Sequence, residues 1–384
     1  MKYKLKDVFD LQMGKTPSRH NVAYWGGNNK WISIADIGNA SKYIYKTKET
    51  ISDLAIEESG IKIVPTGTVI MSFKLSIGKT CITSEDMYTN EAIMAFVDKG
   101  VCPIDVDYFY HFCCGRNWSV GTNKAVLGLT LNKATLSEVE IDIPNIEAQR
   151  KIAQKLDSID DLIKFRRQEL DILEQIVKSR FIEMFGTLSS NEYNYPMYAL
   201  KEVCRKITDG KHGGCEQEQD SGYYYVGARE IYDGEIHYDT APQITKSDFD
   251  KDYRRCNLEQ GDFVLVNTGA TIGKSAIAKH PLTEYTLLQK SVAMFKVKPE
   301  IISAVFLKYC YEANPEMYTV ENASAQPNLL LSRINSTLIY IPPIELQEQF
   351  ASFVEQIDKS KFEIQQSLEK LEILKKSLMQ QYFG

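Results

Sequence analysis

The segment that looks most able to do chemistry is the glycine-rich turn Gly269-Ala270-Thr271-Ile272-Gly273-Lys274-Ser275, which ends as a phosphate-binding loop ends. A loop of that kind needs four residues between its glycines to cradle a phosphate with backbone N–H groups. Three stand here. ATP binding is therefore not expected. Methyl transfer to an amino group would ask for Asn or Asp ahead of a Pro-Pro pair and an aromatic ring behind it. Ile341-Pro342-Pro343-Ile344 lacks both flanks. Cys81, Cys102, Cys113, Cys114, Cys204, Cys215, Cys256 and Cys310 include no Cys-x-x-Cys pair, and none of the five histidines repeats at i, i+4. A zinc or redox centre is thus not expected, and the thiols read as small buried hydrophobes. No catalytic constellation is legible, and neither a metal nor a cofactor is expected.

The elements that would have to position any site are set by an internal repeat. Pro144-Asn145-Ile146-Glu147-Ala148-Gln149 is answered 198 residues later by Pro342-Pro343-Ile344-Glu345-Leu346-Gln347, and the match runs without a gap to Phe185-Gly186 and Phe383-Gly384. Upstream it weakens, with Ile77-Gly78-Lys79-Thr80 answering Ile272-Gly273-Lys274-Ser275. Alternating steps of four and three along the first strong segment collect the apolar Ile152, Leu156, Ile159, Ile163, Leu170, Leu173 and Val177, with Arg166 and Arg180 interrupting the run. The same steps along the second collect the apolar Phe350, Val354, Ile357, Ile364, Leu368, Leu371 and Leu378, with Lys361 and Lys375 interrupting the run. A heptad stripe on two segments free of internal Gly and Pro predicts two long helices packed along each other, the first stopped by Gly186 in the left-handed conformation. The remainder carries short β-rich runs such as Thr68–Ser72 and Asp262–Val266, each behind a glycine.

The expected organisation is a first globular half at 1–143, a helix at 144–186, a second half at 187–341 and a second helix at 342–384. The fold class is α+β: two mixed α/β halves joined by two long antiparallel coiled-coil helices in a pseudo-twofold tandem repeat.

Composition bounds what such a chain does. At 384 residues, 43% hydrophobic and 25% charged, it has the make-up of a soluble protein, with no apolar run long enough for a membrane helix. The opening Met1-Lys2-Tyr3-Lys4-Leu5-Lys6-Asp7 does not run into an apolar signal core, so the cytoplasm is the expected compartment. With 45 basic against 51 acidic residues the net charge is −6. Phosphate neutralisation supplies most nonspecific DNA affinity, so such a chain is expected to grip DNA weakly by itself.

At the repeated Pro-x-Ile-Glu-x-Gln segment followed by a heptad helix and Phe-Gly, the sequence resembles the specificity subunit of type I restriction-modification systems. Gly14-Lys15-Thr16-Pro17-Ser18, Tyr24-Trp25-Gly26-Gly27 and Trp31-Ile32-Ser33-Ile34-Ala35-Asp36-Ile37 are similar to the start of a target recognition domain of that family. Gly67–Ser72 with Ile77-Gly78-Lys79, and Ala325-Gln326-Pro327-Asn328-Leu329, are further matches. The second half departs from the pattern, opening Gly210-Lys211-His212-Gly213 without Thr-Pro. The resemblance spans the whole chain. It implies a noncatalytic subunit whose halves each read one part of a split double-stranded DNA target. Its helices would dock methyltransferase subunits, two by expectation, and through them restriction subunits. The loop residues expected to face DNA are Lys15, Thr16, Ser18, Arg19, Lys74, Ser76 and Lys79 in the first half. In the second they are Lys211, His212, Arg229, Asn267, Thr268, Thr271, Lys274 and Gln326. Trp25 and Trp31 read as core rather than as stacking platforms. The competing expectation is a coiled-coil adaptor for protein partners with no sequence-selective DNA binding.

Overall fold

The computed structural model describes residues 1–74, 76–118, 123–125, 128–319 and 327–384. Two compact units divide the chain: Met1–Arg167 with Gln365–Gly384, and Gln168–Ile364. Each unit draws on both long helices, Ile146–Phe185 and Ile344–Phe383, of 40 residues each.

In the first unit the turn at Gly67, at φ +71°, feeds Val69–Ser72 into a five-stranded sheet. The strand order is Phe9–Met13, Ile93–Asp98, Val69–Ser72, Thr80–Thr83, Tyr43–Ile44. All four residues of Val69–Ser72 are buried, because side chains alternate between two covered faces. Val69, Met71, Ile82, Met94 and Phe96 join Phe109 and Phe112 of helix Val106–Gly115 in one core. Ile70, Cys81, Ile93 and Ala95 meet Ile32, Ile37 and Ile44 in another.

The second unit repeats the plan. Cys204–Asp209, Val292–Val297, Phe263–Val266 and Ser275–Ile277 form a four-stranded sheet in the corresponding order. Phe263, Leu265, Ala293 and Phe295 face helix Ala304–Ala313, while Val264, Val266, Val292 and Met294 fill the core behind. In both halves the first strand pairs antiparallel with the last: Lys2–Lys4 with Glu140–Asp142, and Met197–Ala199 with Leu338–Tyr340. That pairing delivers the chain through proline into the long helix.

The repeated Pro-x-Ile-Glu-x-Gln segment owes its glutamine to a buried latch. Gln149 has no exposed surface; its amide nitrogen donates to the Pro103 and Pro144 carbonyls at 3.0 and 2.8 Å, and its oxygen accepts from Asp105 N at 2.8 Å. Gln347, equally buried, donates to the Ile301 and Pro342 carbonyls at 3.1 and 2.9 Å and accepts from Ser303 N at 2.9 Å. Asp105 and Ser303 are the N-caps of the helices that follow them. Each latch thus ties the start of a long helix to the start of a helix in the globular half. Gln149→Leu or Gln347→Leu strands three backbone groups, at ~1–3 kcal/mol each. A loss of about 3 kcal/mol or more in urea unfolding is expected for either, against nearly none for an exposed substitution such as Gln154→Leu.

All fourteen stripe residues are buried or half-buried, and they serve different surfaces. Ile152 and Leu156 lie at the start of the first helix, where Ile152 and Ala153 pack on the first core. Ile159, Ile163 and Leu368, with Leu371 and Leu378, form a helix-to-helix cluster in the first unit. There Asp160 pairs with Lys375 and Arg167 with Glu372, so partner numbers fall as residue numbers rise and the helices run antiparallel. In the second unit Val177, Phe350 and Val354 sit in the main core with Ile357 against it, while Leu170, Leu173 and Ile364 are half-buried. Gly186, at φ +71°, closes the first helix by donating to Ile182 O at 2.8 Å.

A charged cluster fixes the first globular half to its helix. Lys42 lies between Asp107 and Asp157 at 2.8 and 2.6 Å, and the fully buried His111 places Nε2 2.8 Å from the same Asp157. Nδ1 of His111 has no hydrogen-bond partner among the described residues. Burial pushes the histidine pKa below its ordinary 6.5, with Lys42 adding to the effect against the pull of Asp157. The unfolded chain therefore binds the proton more readily, and stability is lost as the pH falls from 6.5 towards the depressed folded value. Thermal melting between pH 7.5 and 5 is expected to show this decline, and His111→Phe to flatten it.

Candidate nucleic-acid interface

At one end of each central sheet, three loops converge on a backbone crossing that only glycine allows. A Cβ on Gly14 would lie 2.2 Å from the carbonyl oxygens of Thr89 and Asn90; on Gly210 it would lie 2.1 Å from that of Leu288. The flanking hydrogen bonds correspond: Gly14 N to Ile93 O and Lys15 N to Thr89 O in the first half, Gly210 N to Val292 O and Lys211 N to Leu288 O in the second. The hairpin loop beyond the central strand joins the same crossing. Phe73 N donates to Ala92 O at 3.0 Å, and Asn267 N to Ser291 O at 3.0 Å.

In the first half the loop after Gly14 is held from below by tryptophans. Trp31, 2% exposed, donates its indole N–H to Lys15 O at 3.0 Å, and the half-buried Trp25 donates to Ser18 O at 3.2 Å. Arg19 lies 3.8 Å over the Trp25 ring and forks onto Glu49, its Nη2 donating to Oε2 at 2.9 Å. That pairing raises the arginine pKa and lowers that of Glu49. Thr16 donates its hydroxyl to Glu91, and the exposed Lys15 reaches the Ser59 carbonyl. In the hairpin loop, Ser72 Oγ accepts from Lys79 N at 3.2 Å, and Gly78 turns at φ +88° against the Trp118 ring. Lys74 sits 5.2 Å from the Phe73 ring; Ser76 and Lys79 are exposed. Among the described residues, Lys15, Lys74 and Lys79 have no carboxylate partner.

The second half fills the same frame differently. Lys211 is 13% exposed and bound by Asp252 at 2.9 Å, which raises its pKa. His212 is exposed, 3.3 Å from Asp209. Asn267 is buried, its carbonyl accepting from Leu329 N at 2.7 Å, while Thr268 donates to Asn328 Oδ1 at 3.0 Å. Thr271 is half-buried, Lys274 and Arg229 are exposed, and neither cation has a carboxylate partner among the described residues. Arg229 lies two residues past Gly227, which abuts the Gln289 side chain. Gln326 lies outside the described residues. The glycine-rich turn joins two antiparallel strands instead of opening a helix, so it lacks the helix N-terminus on which a phosphate loop depends.

Sequence reading passed over the segment that the other loops meet, Asn90-Glu91-Ala92 and its counterpart Gln289-Lys290-Ser291. The signal was the alignment of the strands that follow, Ile93–Asp98 and Val292–Val297, extended three residues upstream.

The model of the type I restriction modification DNA specificity domain matches residues 1–175 and again 193–375. The chain belongs to that family. This specificity subunit is 26% identical over 373 residues to the MjaIX specificity subunit of Methanocaldococcus jannaschii, covering 92% of this chain and 85% of the relative. It is 22% identical over 331 residues to the EcoBI specificity subunit of Escherichia coli, covering 75% and 69%. The fold of the specificity subunit is similar to that of the S subunit from M. genitalium, at a TM-score of 0.57 and 14% identity, covering 100% and 96%. It is also similar to a chain solved for the structural basis of complex assembly and conformational transition of the type I R-M system, at 0.65 and 14%, covering 100% and 97%. No described helix is long and apolar enough to cross a membrane.

Proposed function

We propose that this specificity subunit reads a bipartite double-stranded DNA target, one half-site per globular half, and docks methyltransferase subunits on its long helices. Methylation, and cleavage where a restriction subunit joins, belong to those partners. The observation that carries this reading is that one loop frame occurs twice, with matching backbone bonds and different side chains. A shared scaffold under divergent loops suits two readers of different sequences. Docking is supported by apolar side chains off the stripe: Leu162, Phe165, Ile172, Ile176, Ile182, Phe362 and Ile373 are 42–70% exposed. In the second unit Ile172, Ile176, Ser179, Arg180 and Phe353 line an open groove of about 620 Å³. The net charge of −6 leaves much of the grip on the phosphates to partners.

The test is to express the chain with a cognate methyltransferase and sequence the methylated sites. A two-part motif with a fixed gap is expected. Methylation without sequence choice, together with no selective duplex binding by the assembled complex, would favour the adaptor reading.

A further inference from the structure

The corresponding crossings place Glu91 and Lys290 at the same point of the two halves, each one residue past the amide residue at the crossing, Asn90 or Gln289. Both are exposed, and their charges are opposite. Glu91 is held: one carboxylate oxygen, Oε2, accepts from the Thr16 hydroxyl, which leaves Oε1 with open lone pairs. Lys290 is anchored through its backbone, its N–H donating to Lys211 O at 2.9 Å. Its ammonium has no carboxylate partner among the described residues, although Asp209, Asp248 and Asp252 of the same region pair with Arg255 and Lys211.

An exposed carboxylate on the segment that the loops of Lys15 and Lys74 meet is repelled by phosphates, so at a DNA-facing surface it is favourable only where it meets a donor. In the major groove cytosine presents N4–H as a donor, and guanine presents O6 and N7 as acceptors. We propose that positions 91 and 290 are equivalent base-reading positions of opposite polarity. Glu91 accepts from the exocyclic amino group of a cytosine, and Lys290 donates to the acceptor edge of a guanine. This rests on the bipartite reading above and names which loop residues carry part of the choice.

The experiment compares methylated motifs and duplex binding of the assembled complex for the wild-type chain, Glu91→Gln and Lys290→Gln. Each variant is expected to relax a single position of its own half-site, with discrimination there falling about 5- to 150-fold, the equivalent of the ~1–3 kcal/mol of one base contact. The untouched half-site reports folding and assembly in the same molecule. If the wild type yields a two-part motif and a variant leaves both half-sites unchanged, the assignment of its residue is overturned while the bipartite reading stands. A uniform loss of affinity with a smaller salt dependence and an intact motif marks a phosphate contact and also overturns it. If the wild type yields no two-part motif, both readings fall.

Discussion

Exchanging residues 1–143 for the matching half of a relative with a different target is expected to change one half-site and leave the other as it was. Each wrong base pair costs ~1–3 kcal/mol, so replacing a reader of a few base pairs redirects methylation almost completely. The junction is favourable because the latch across it uses backbone groups: Gln149 bonds the carbonyls of Pro103 and Pro144 and the N–H of Asp105. A donor half with the same backbone there accepts Gln149 whatever its side chains. The apolar contacts of Ile152 and Ala153 with the first core, those of Phe383 with Tyr108 and Phe112 at 5.3 and 5.9 Å, and the pairing of Asp157 with Lys42 and His111 also have to be met. The donor must therefore keep an aromatic helix at that place. Sequencing of methylated sites in cells carrying the chimera decides the matter: a change in both half-sites, or in neither, rejects the two-reader architecture.

The largest stability effect is expected from Phe350→Ala. Phe350 has no exposed surface, and its ring stands 5.4 Å from Phe181, 5.6 Å from Phe185 and 5.2 Å from Tyr309. It therefore joins parts of both long helices to helix Ala304–Ala313 within the second unit. Truncating a buried phenylalanine costs ~3–5 kcal/mol. In a unit of this size each kilocalorie lowers the melting temperature by about 2–4 °C, so a drop of roughly 6–20 °C is expected. Calorimetry or melting followed by circular dichroism measures it, and Phe362→Ala, at a residue 64% exposed, provides the comparison. A shift below 2 °C would show that the aromatic cluster does not hold this unit together.

The repeat and the long helices were legible because heptad spacing and a gapless match over both helices are periodic signals, carried by many residues at once. The strands Val69–Ser72 and Phe263–Val266 were legible for a similar reason, as apolar runs behind a turn glycine. The site was legible only in part, since loop residues are placed by long-range backbone bonds that no local pattern encodes. Lys211 shows how this misleads: as a sequence it is a loop cation, whereas Asp248 and Asp252, some forty residues on, neutralise it. Asn267 likewise reads as a polar loop residue and is buried at 3% exposure. Trp25 and Trp31 read as core, and their structural use includes the indole donors that pin residues 15 and 18. Glu91 and Lys290 escaped notice because nothing local marks the crossing that brings their segment to the other loops.

The order in which the two units can be completed during synthesis follows from the pairing of residues 365–384 with residues 1–167. The second unit is one continuous stretch and can close as soon as it has left the ribosome. The first waits for Met379 and Phe383, which press against Gly115 at the end of its own helix. At ~5–20 residues per second, some 10–40 s separate the emergence of Arg167 from that of those side chains. A newly made chain therefore passes through a period in which the later unit is finished and the earlier one still exposes an aromatic socket to chaperones.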